Sequence, residues 1–123
     1  MTRVEDWKVK ALAREQQDMI FRMTRYLPME EKFSLIDQVR RSCRSVCANI
    51  AEAYAKRRYA PHMIAKLSDA DAENAETRVW LEIVLDCNYM ATNDLAKVMD
   101  VNAQINRLLN YMMIHKEKFI IKA

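Results

Sequence analysis

The chain of 123 residues contains no glycine and only two prolines, Pro28 and Pro61. Hairpin turns and β-bulges rely on residues with positive φ, and glycine supplies them at the lowest steric cost. A β-sheet protein of this length would therefore lack the residue that builds most of its turns. The sequence is rich instead in helix formers such as Ala, Leu, Met, Glu, Lys and Arg. We predict an all-α fold, and the length suits a single domain, 1–123.

Pro28 marks the boundary between the first two amphipathic stretches. The first stretch covers about 6–27, and the second begins near MEEKF, at 29–33. Glu30 and Glu31 are expected in the first turn of this second helix, where carboxylates complement the positive end of the helix dipole.

Two later signals place the remaining helices. Pro61 suits the first turn of a third helix over about 61–90, because that position needs no N–H donor. Asn93 or Asp94 is expected to cap a fourth helix. Four helices with short connections predict an up-down-up-down four-helix bundle.

Three of the four stretches carry apolar residues at the spacing of a helix face that packs against other helices. The face of the second helix comprises Ile36, Val39, Cys43, Val46, Ile50 and Ala53. The face of the third comprises Met63, Leu67, Ala70, Asn74, Thr77, Leu81 and Val84. The face of the fourth comprises Leu95, Val98, Asn102, Ile105, Leu109 and Met112. These residues are the predicted core.

The first helix is less regular, because its apolar residues from Met19 to Leu27 spread around more than one face. A helix that is apolar on two sides is typical of burial on two sides, which in a small bundle favours a partner subunit. The alternative is a terminal helix with a few exposed apolar residues.

Cys43 and Cys47 lie four residues apart on one helix face and are the first candidates for a metal or redox site. A structural zinc site needs four ligands, and Cys87, His62 and His115 show no ligand-pair spacing. Neither histidine follows a glutamate by three residues, as di-iron bundles require. We interpret Cys43 as a small core residue and predict neither a metal nor a cofactor.

The same composition argues against catalysis. Phosphate-binding loops and nucleophile elbows need glycine, and the two histidines form no cluster, so we predict no catalytic residues and no enzyme. Three cysteines, an odd number, behind an opening MTRVEDW without an apolar leader favour the cytoplasm. The longest apolar runs are far shorter than the roughly 20 residues of a membrane span, so we expect no membrane association.

The net charge of +3 hides a strong asymmetry. Residues 1–66 contain 14 Lys or Arg against 8 Asp or Glu, a net +6, whereas residues 67–123 contain 6 against 9, a net −3. Such a split favours a basic surface for an anionic polymer, or two faces that attract each other between copies. The candidate nucleic-acid contacts are Arg40, Arg41, Arg44, Lys56, Arg57, Arg58 and Lys66.

The antiparallel arrangement of helices two and three predicts which of these arginines meets an acid. With the connection centred near Tyr59 and Ala60, residue i on one helix lies level with about 119 − i on the other. Arg44 or Arg41 therefore comes close to Glu76. The equal alternative is that Arg40, Arg41 and Arg44 all remain on the outer face, where they meet phosphates.

Two segments of the sequence resemble a known family. RRSCRSVCANIAEAYAKRR, 40–58, is similar to the Arg-Arg-Ser and Ser-Val-x-Ala-Asn-Ile-Ala-Glu-Gly core of a bacterial four-helix bundle family. That family was first noted as products of intervening sequences in large-subunit ribosomal RNA genes. LSDADAENAETRVWLEIVLDCNYM, 67–90, resembles its third helix, and the likeness spans about 20–90. Ala53 and Asn88 replace two glycines of the family pattern.

These replacements carry two structural expectations. Asparagine is the best substitute for glycine in a left-handed C-cap, so Asn88 is expected to keep that geometry. Ala53 predicts a helix two that continues straight through EAYAKRR.

The resemblance implies a non-enzymatic bundle that forms rings, often pentamers. A related group serves as the accessory factor of the reverse transcriptase of diversity-generating retroelements, and binds that enzyme and nucleic acid through a basic surface. Asn49 and Glu52 match the family's pair, and with Glu76 they are expected to form a structural polar cluster, buried or at an interface.

Charge and resemblance together predict a cyclic homo-oligomer. The ring rests on the basic first half and the acidic third helix, which would attract each other head to tail, and the pentamer rests on the resemblance. The expected function is a nucleic-acid-associated or ribonucleoprotein-associated adaptor that binds RNA or DNA, with a reverse transcriptase as a further partner. The alternative is a structural protein-interaction module that binds no nucleic acid.

Overall fold

The structure is a computed structural model that describes residues 7–121. These residues form four α-helices: α1 (Lys8–Thr24), α2 (Leu35–Ala55), α3 (Ala60–Asp86) and α4 (Thr92–Ile114). Short 3₁₀ turns occupy Met29–Glu31 and Lys116–Lys118. Each helix packs against the next, and α1 packs against α4. The predicted four-helix bundle is confirmed.

The predicted inner faces of α2, α3 and α4 are confirmed at every position, since all of these residues are buried. The buried apolar side chains form two clusters. One lies near Trp7, Met63 and Met112, at the end of the bundle that contains the α2–α3 connection, which we call the closed end. Phe119 packs against Trp7 there. The other lies near Leu27 and Leu95, at the loop end, where the α1–α2 and α3–α4 connections are found.

A layer of buried amides separates the two apolar clusters. Gln16 Nε2 donates a hydrogen bond to Asn74 Oδ1 (3.1 Å), and Asn102 Nδ2 donates to Gln16 Oε1 (2.8 Å). Asn74 Nδ2 in turn donates to the Asn102 backbone carbonyl (3.0 Å). The three residues come from α1, α3 and α4, so their mutual hydrogen bonds fix the relative heights of three helices.

The predicted register between α2 and α3 is also confirmed. The hydroxyls of Ser42 and Thr77, both fully buried, lie 2.8 Å apart, which is the level expected from the relation 119 − i. Nearby, Arg41 forms an ion pair with Glu76, one of the two pairs that the register predicted.

The start of α2 differs from the prediction. The predicted first-turn residues Glu30 and Glu31 belong to a separate 3₁₀ turn, and α2 begins only at Leu35. Glu31 accepts hydrogen bonds from Ser34 Oγ (2.6 Å) and Tyr89 Oη (2.7 Å), and these bonds lower the pKa of its carboxyl. The same carboxylate raises the pKa of Tyr89 to about 12. Glu31 therefore ties the α1–α2 connection to the end of α3.

The end of α3 forms the predicted left-handed cap. Asn88 has φ 58°, the Tyr89 N–H donates to the Val84 carbonyl (3.1 Å), and the Asn88 N–H donates to the Leu85 carbonyl (3.0 Å). This pair of hydrogen bonds is a Schellman motif, which satisfies carbonyls that the helix itself leaves unpaired.

Two further details concern α2 and α4. The helix passes Ala53 without interruption, as expected, but the predicted course through EAYAKRR is only partly correct, because α2 ends at Ala55 and 56–58 form a turn. The predicted cap of α4 is wrong: Ala91 holds the N-cap position without a side-chain hydrogen bond, and Asn93 and Asp94 lie within the first turn.

Candidate nucleic-acid interface

The structure divides the predicted basic residues among three locations. Arg40 and Arg44 turn toward α1, whereas Arg41 turns toward α3. A third group, Lys56, Arg57 and Arg58, follows the end of α2. Successive residues on a helix are about 100° apart, so neighbouring arginines of one segment point toward different helices.

Three arginines converge on the aromatic ring of Phe21 between α1 and α2. The guanidinium carbons of Arg40, Arg25 and Arg44 lie 4.7, 5.1 and 5.8 Å from the ring centroid. Arg40 is anchored further, because its Nε donates to Thr24 Oγ1 (2.8 Å) and its Nη2 donates to the Phe21 carbonyl (3.3 Å). The ring holds three cations together through cation–π contacts.

A groove of about 460 Å³ continues this surface toward the closed end. Its lining residues are Arg14, Gln17, Arg44, Cys47 and Ala48. Arg44 Nε donates to Gln17 Oε1 (3.2 Å), and Gln17 Nε2 donates to Asp18 Oδ1 (2.9 Å). We call the four arginines Arg14, Arg25, Arg40 and Arg44 the arginine face.

The arginine face carries no ion pair to a carboxylate within residues 7–121. Sequence reasoning had selected Arg40 and Arg44 and had missed Arg14 and Arg25. Their signal was present, because positions 14, 21 and 25 recur at helical spacing on one side of α1. The apolar residues of α1, which were the basis of its prediction, give no indication of this basic side.

Two of the predicted phosphate contacts are instead neutralised within the protomer. Arg41 pairs with Glu73 (3.2 Å) and with Glu76. Lys66 pairs with Glu52 (3.4 Å) and lies 3.9 Å from an Asp69 carboxylate oxygen. These ion pairs connect α2 to α3. The charges of Arg41 and Lys66 are therefore largely balanced by neighbouring acids.

The basic group after α2 forms the corner between α2 and α3. The guanidinium of Arg57 stacks on the Tyr54 ring, 3.7 Å from its centroid, and the Arg57 carbonyl accepts a hydrogen bond from the Ile121 N–H (3.0 Å). Lys56 and Arg58 are exposed, and their side chains form no hydrogen bond or ion pair in the described part of the chain. The corner is therefore a second, smaller basic surface.

The predicted polar cluster is not assembled inside the protomer. Asn49 Nδ2 donates to the carbonyl (3.0 Å) and hydroxyl (3.1 Å) of Ser45 on its own helix. Glu52 is 54% exposed and pairs with Lys66, while Glu76 pairs with Arg41. The buried form of the cluster is wrong, because the register holds Glu52 and Glu76 at different levels of the α2–α3 contact.

The cysteines occupy three different environments and form no disulfide. Cys43 is fully buried in the core, and its burial, followed by the neighbouring Cys47 thiol, raises its pKa to about 12. Burial also raises the pKa of Cys47, against the opposing effect of Arg14. Over residues 7–121, no three His, Cys, Asp or Glu side chains are grouped closely enough to hold a metal ion. No helix in this range is long and apolar enough to cross a membrane.

Residues 5–111 match the family described as 23S rRNA-intervening sequence protein. The chain belongs to this family. The arginine face, the amide layer and nearly all of the four helices lie inside the matched segment. The resemblance seen in the sequence is thereby confirmed.

A solved crystal structure is similar to this chain in fold. It was determined at 1.70 Å resolution and is described as a protein with unknown function from the S23 ribosomal protein family of Bacteroides thetaiotaomicron. The TM-score is 0.78 at 30% identity, and the match covers 85% of this chain and 94% of that one. No curated protein matches the sequence. Neither the family description nor the solved relative names a catalytic activity.

Proposed function

We propose that this member of the 23S rRNA-intervening sequence protein family is a non-catalytic homo-oligomer that binds RNA or DNA. It acts in the cytoplasm as a nucleic-acid-associated or ribonucleoprotein-associated adaptor. The observation that carries the proposal is the convergence of three guanidinium groups on Phe21, none of which forms an ion pair with a carboxylate of residues 7–121.

The electrostatics of the arginine face favour an anionic polymer as its ligand. Like charges held this close repel one another. Among the described residues, acids pair with Arg41 and Lys66 but with no member of the arginine face. Arginine presents several N–H donors in a fixed fork that matches phosphate geometry. A phosphate backbone along α1 and α2 would relieve the repulsion and accept these donors.

The charge distribution supports self-association. Several acids of α3 remain exposed after Glu73 and Glu76 have paired with Arg41, namely Asp69, Glu82 and Asp86. They offer an acidic surface to the basic side of another copy, which is the arrangement that a head-to-tail ring requires. The pentameric number and a reverse transcriptase partner rest on the family resemblance alone.

Fluorescence anisotropy with a short labelled RNA and DNA, repeated over a range of salt concentrations, tests the nucleic-acid proposal. Affinity should fall steeply as salt rises, because phosphate contacts release counterions. The double variant Arg14→Gln/Arg44→Gln should bind more weakly at every salt concentration. The fall of log affinity with log salt should also become shallower, with the size of the slope reduced by about 1.5.

The double variant Arg41→Gln/Lys66→Gln is the matched control, because it removes the same charge from residues that are already ion-paired. Its slope should stay close to that of the wild type. Equal losses in both variants would show a non-specific charge effect, and no binding at low salt would remove the proposal.

The alternative is a protein-interaction module whose basic residues are covered by its own neighbours. It predicts that Lys56→Glu/Arg57→Glu/Arg58→Glu disturbs assembly and leaves any nucleic-acid affinity unchanged. In the proposed function, the same variant weakens nucleic-acid binding, because Lys56 and Arg58 are exposed without a partner in residues 7–121.

A further inference from the structure

The α1–α2 connection exposes three large apolar side chains at the loop end. Tyr26 is 84%, Met29 81% and Phe33 85% exposed, the highest values among the large apolar residues that the structure describes. Isolated exposed apolar residues are common, but three large ones in one short connection are typical of a protein contact. We call Tyr26, Met29 and Phe33 the knob.

The same end of the bundle carries an apolar groove between α3 and α4. Its volume is about 220 Å³, enough to receive one aromatic or methionine side chain. The residues that line this α3–α4 groove are Leu81, Leu85, Thr92, Leu95, Ala96 and Met99. Apart from the Thr92 hydroxyl, these side chains offer only hydrocarbon and thioether surface, so the groove suits an apolar group.

The knob and the α3–α4 groove do not meet within one protomer. Glu31 of the α1–α2 connection accepts a hydrogen bond from Tyr89 Oη (2.7 Å) beside the α3–α4 connection, yet Tyr26, Met29 and Phe33 are all more than 80% exposed. The knob is therefore not buried in the groove of its own protomer. It can enter the groove of a neighbouring copy that stands beside it in the same orientation.

The charges around the two features are complementary. Bases flank the knob at Arg22, Arg25 and Lys32, against the acids Glu30 and Glu31, which leaves a net charge of +1. Acids flank the groove at Glu82, Asp86, Asp94 and Asp100, against Lys97 and Arg78, which leaves a net charge of −2. Such complementarity sets register and orientation, while burial of the apolar side chains supplies most of the affinity.

We propose that the knob of one copy inserts into the α3–α4 groove of the next copy. This inference rests on the homo-oligomer of the proposed function and names the two surfaces that meet in it. Because the surfaces are different, the contact is head-to-tail and continues from copy to copy until a ring closes.

Cysteine cross-linking tests the pairing of the two surfaces. In a Cys87→Ser background, the double variant Phe33→Cys/Ala96→Cys should form a reducible ladder of dimers and higher multimers on mild oxidation with diamide. The single variants Phe33→Cys and Ala96→Cys should form no ladder, because each carries an introduced cysteine on only one of the two surfaces. A covalent dimer from Phe33→Cys alone would show a two-fold contact through the knob and overturn the inference.

Light scattering after size-exclusion chromatography separates this inference from the oligomer on which it rests. The variant Met29→Asp/Phe33→Asp should weaken self-association by about 30-fold or more, since central apolar contacts dominate interfaces. Its circular dichroism should match that of the wild type, because both side chains are exposed in the protomer. Ile114→Asp, a change at an apolar residue 71% exposed at the closed end, should leave the mass unaltered.

The outcomes are distinct. A wild-type monomer would overturn the oligomer and this inference together. An oligomer that withstands Met29→Asp/Phe33→Asp would overturn only the assignment of the knob.

Discussion

At the scale of single residues, the amides of Gln16, Asn74 and Asn102 form the strongest constraint on the core. Each is at most 2% exposed, and each hydrogen-bonds to at least one of the others. A buried amide without a partner costs far more than its hydrogen bond contributes when made. The layer therefore penalises any arrangement of α1, α3 and α4 that moves one amide away from the others.

The variant Asn102→Leu should lower the free energy of unfolding by about 2–4 kcal/mol, because it leaves the buried Gln16 Oε1 without its donor and removes one of the two donors to Asn74 Oδ1. The triple variant Gln16→Met/Asn74→Leu/Asn102→Leu should cost less than this single change, since no unpaired polar group remains. Urea unfolding at one fixed protein concentration measures both values. A single variant as stable as the wild type would show that the layer does not constrain the core.

At the scale of helices and their ends, the C-cap of α3 is the feature that most directly links sequence to geometry. Asn88 holds φ 58°, a region that costs most residues with a Cβ roughly 1–2 kcal/mol. Asparagine and glycine reach it more easily.

Asn88→Gly should therefore change the free energy of unfolding by less than about 0.5 kcal/mol, whereas Asn88→Ala should lower it by about 1 kcal/mol. Ser68→Ala is the matched control, because it places alanine at an exposed position inside α3 where alanine is favourable. Thermal unfolding of the three variants checks the ranking. Equal losses for glycine and alanine at position 88 would contradict it.

Helix faces could be predicted because burial repeats every three or four residues along α2, α3 and α4. The start of α2 could not, because the chain has to turn between the buried Leu27 and Leu35, and this turn interrupts the helical pattern around Glu30 and Glu31. The N-cap of α4 was predicted wrongly for a different reason. A capping side chain contributes only about 1 kcal/mol, so packing of nearby core residues such as Leu95 decides where the helix starts.

The candidate site could be predicted only in part. The sequence identified Arg40, Arg41 and Arg44 as a group, but which of them would meet an acid depends on the angle of each side chain around α2. The packed helices turn Arg41 toward Glu76 and the other two toward α1. The spacing of residues 14, 21 and 25 places them on one side of α1, but only the packed structure shows that this side faces Arg40 and Arg44.

At the scale of the whole molecule, the two proposals concern neighbouring surfaces of the bundle. In the proposed function the arginine face and the α2–α3 corner bind phosphates, and in the further inference the knob and the α3–α4 groove join copies. Arg25 belongs to the arginine face and also borders the knob. Repetition around a ring would place one arginine face on each protomer, and several linked sites bind a polymer more tightly than one. Oligomerisation would thus strengthen nucleic-acid binding without adding a contact.

Native mass spectrometry of the purified protein mixed with a short RNA tests the central claim most directly, because one spectrum reports both subunit number and bound nucleic acid. We predict a single closed homo-oligomer that carries the RNA. The RNA-bound peaks should diminish in the Arg14→Gln/Arg44→Gln variant while the subunit number stays the same. A monomer without bound RNA would contradict the account, and an oligomer that binds no RNA would leave a structural protein-interaction module in its place.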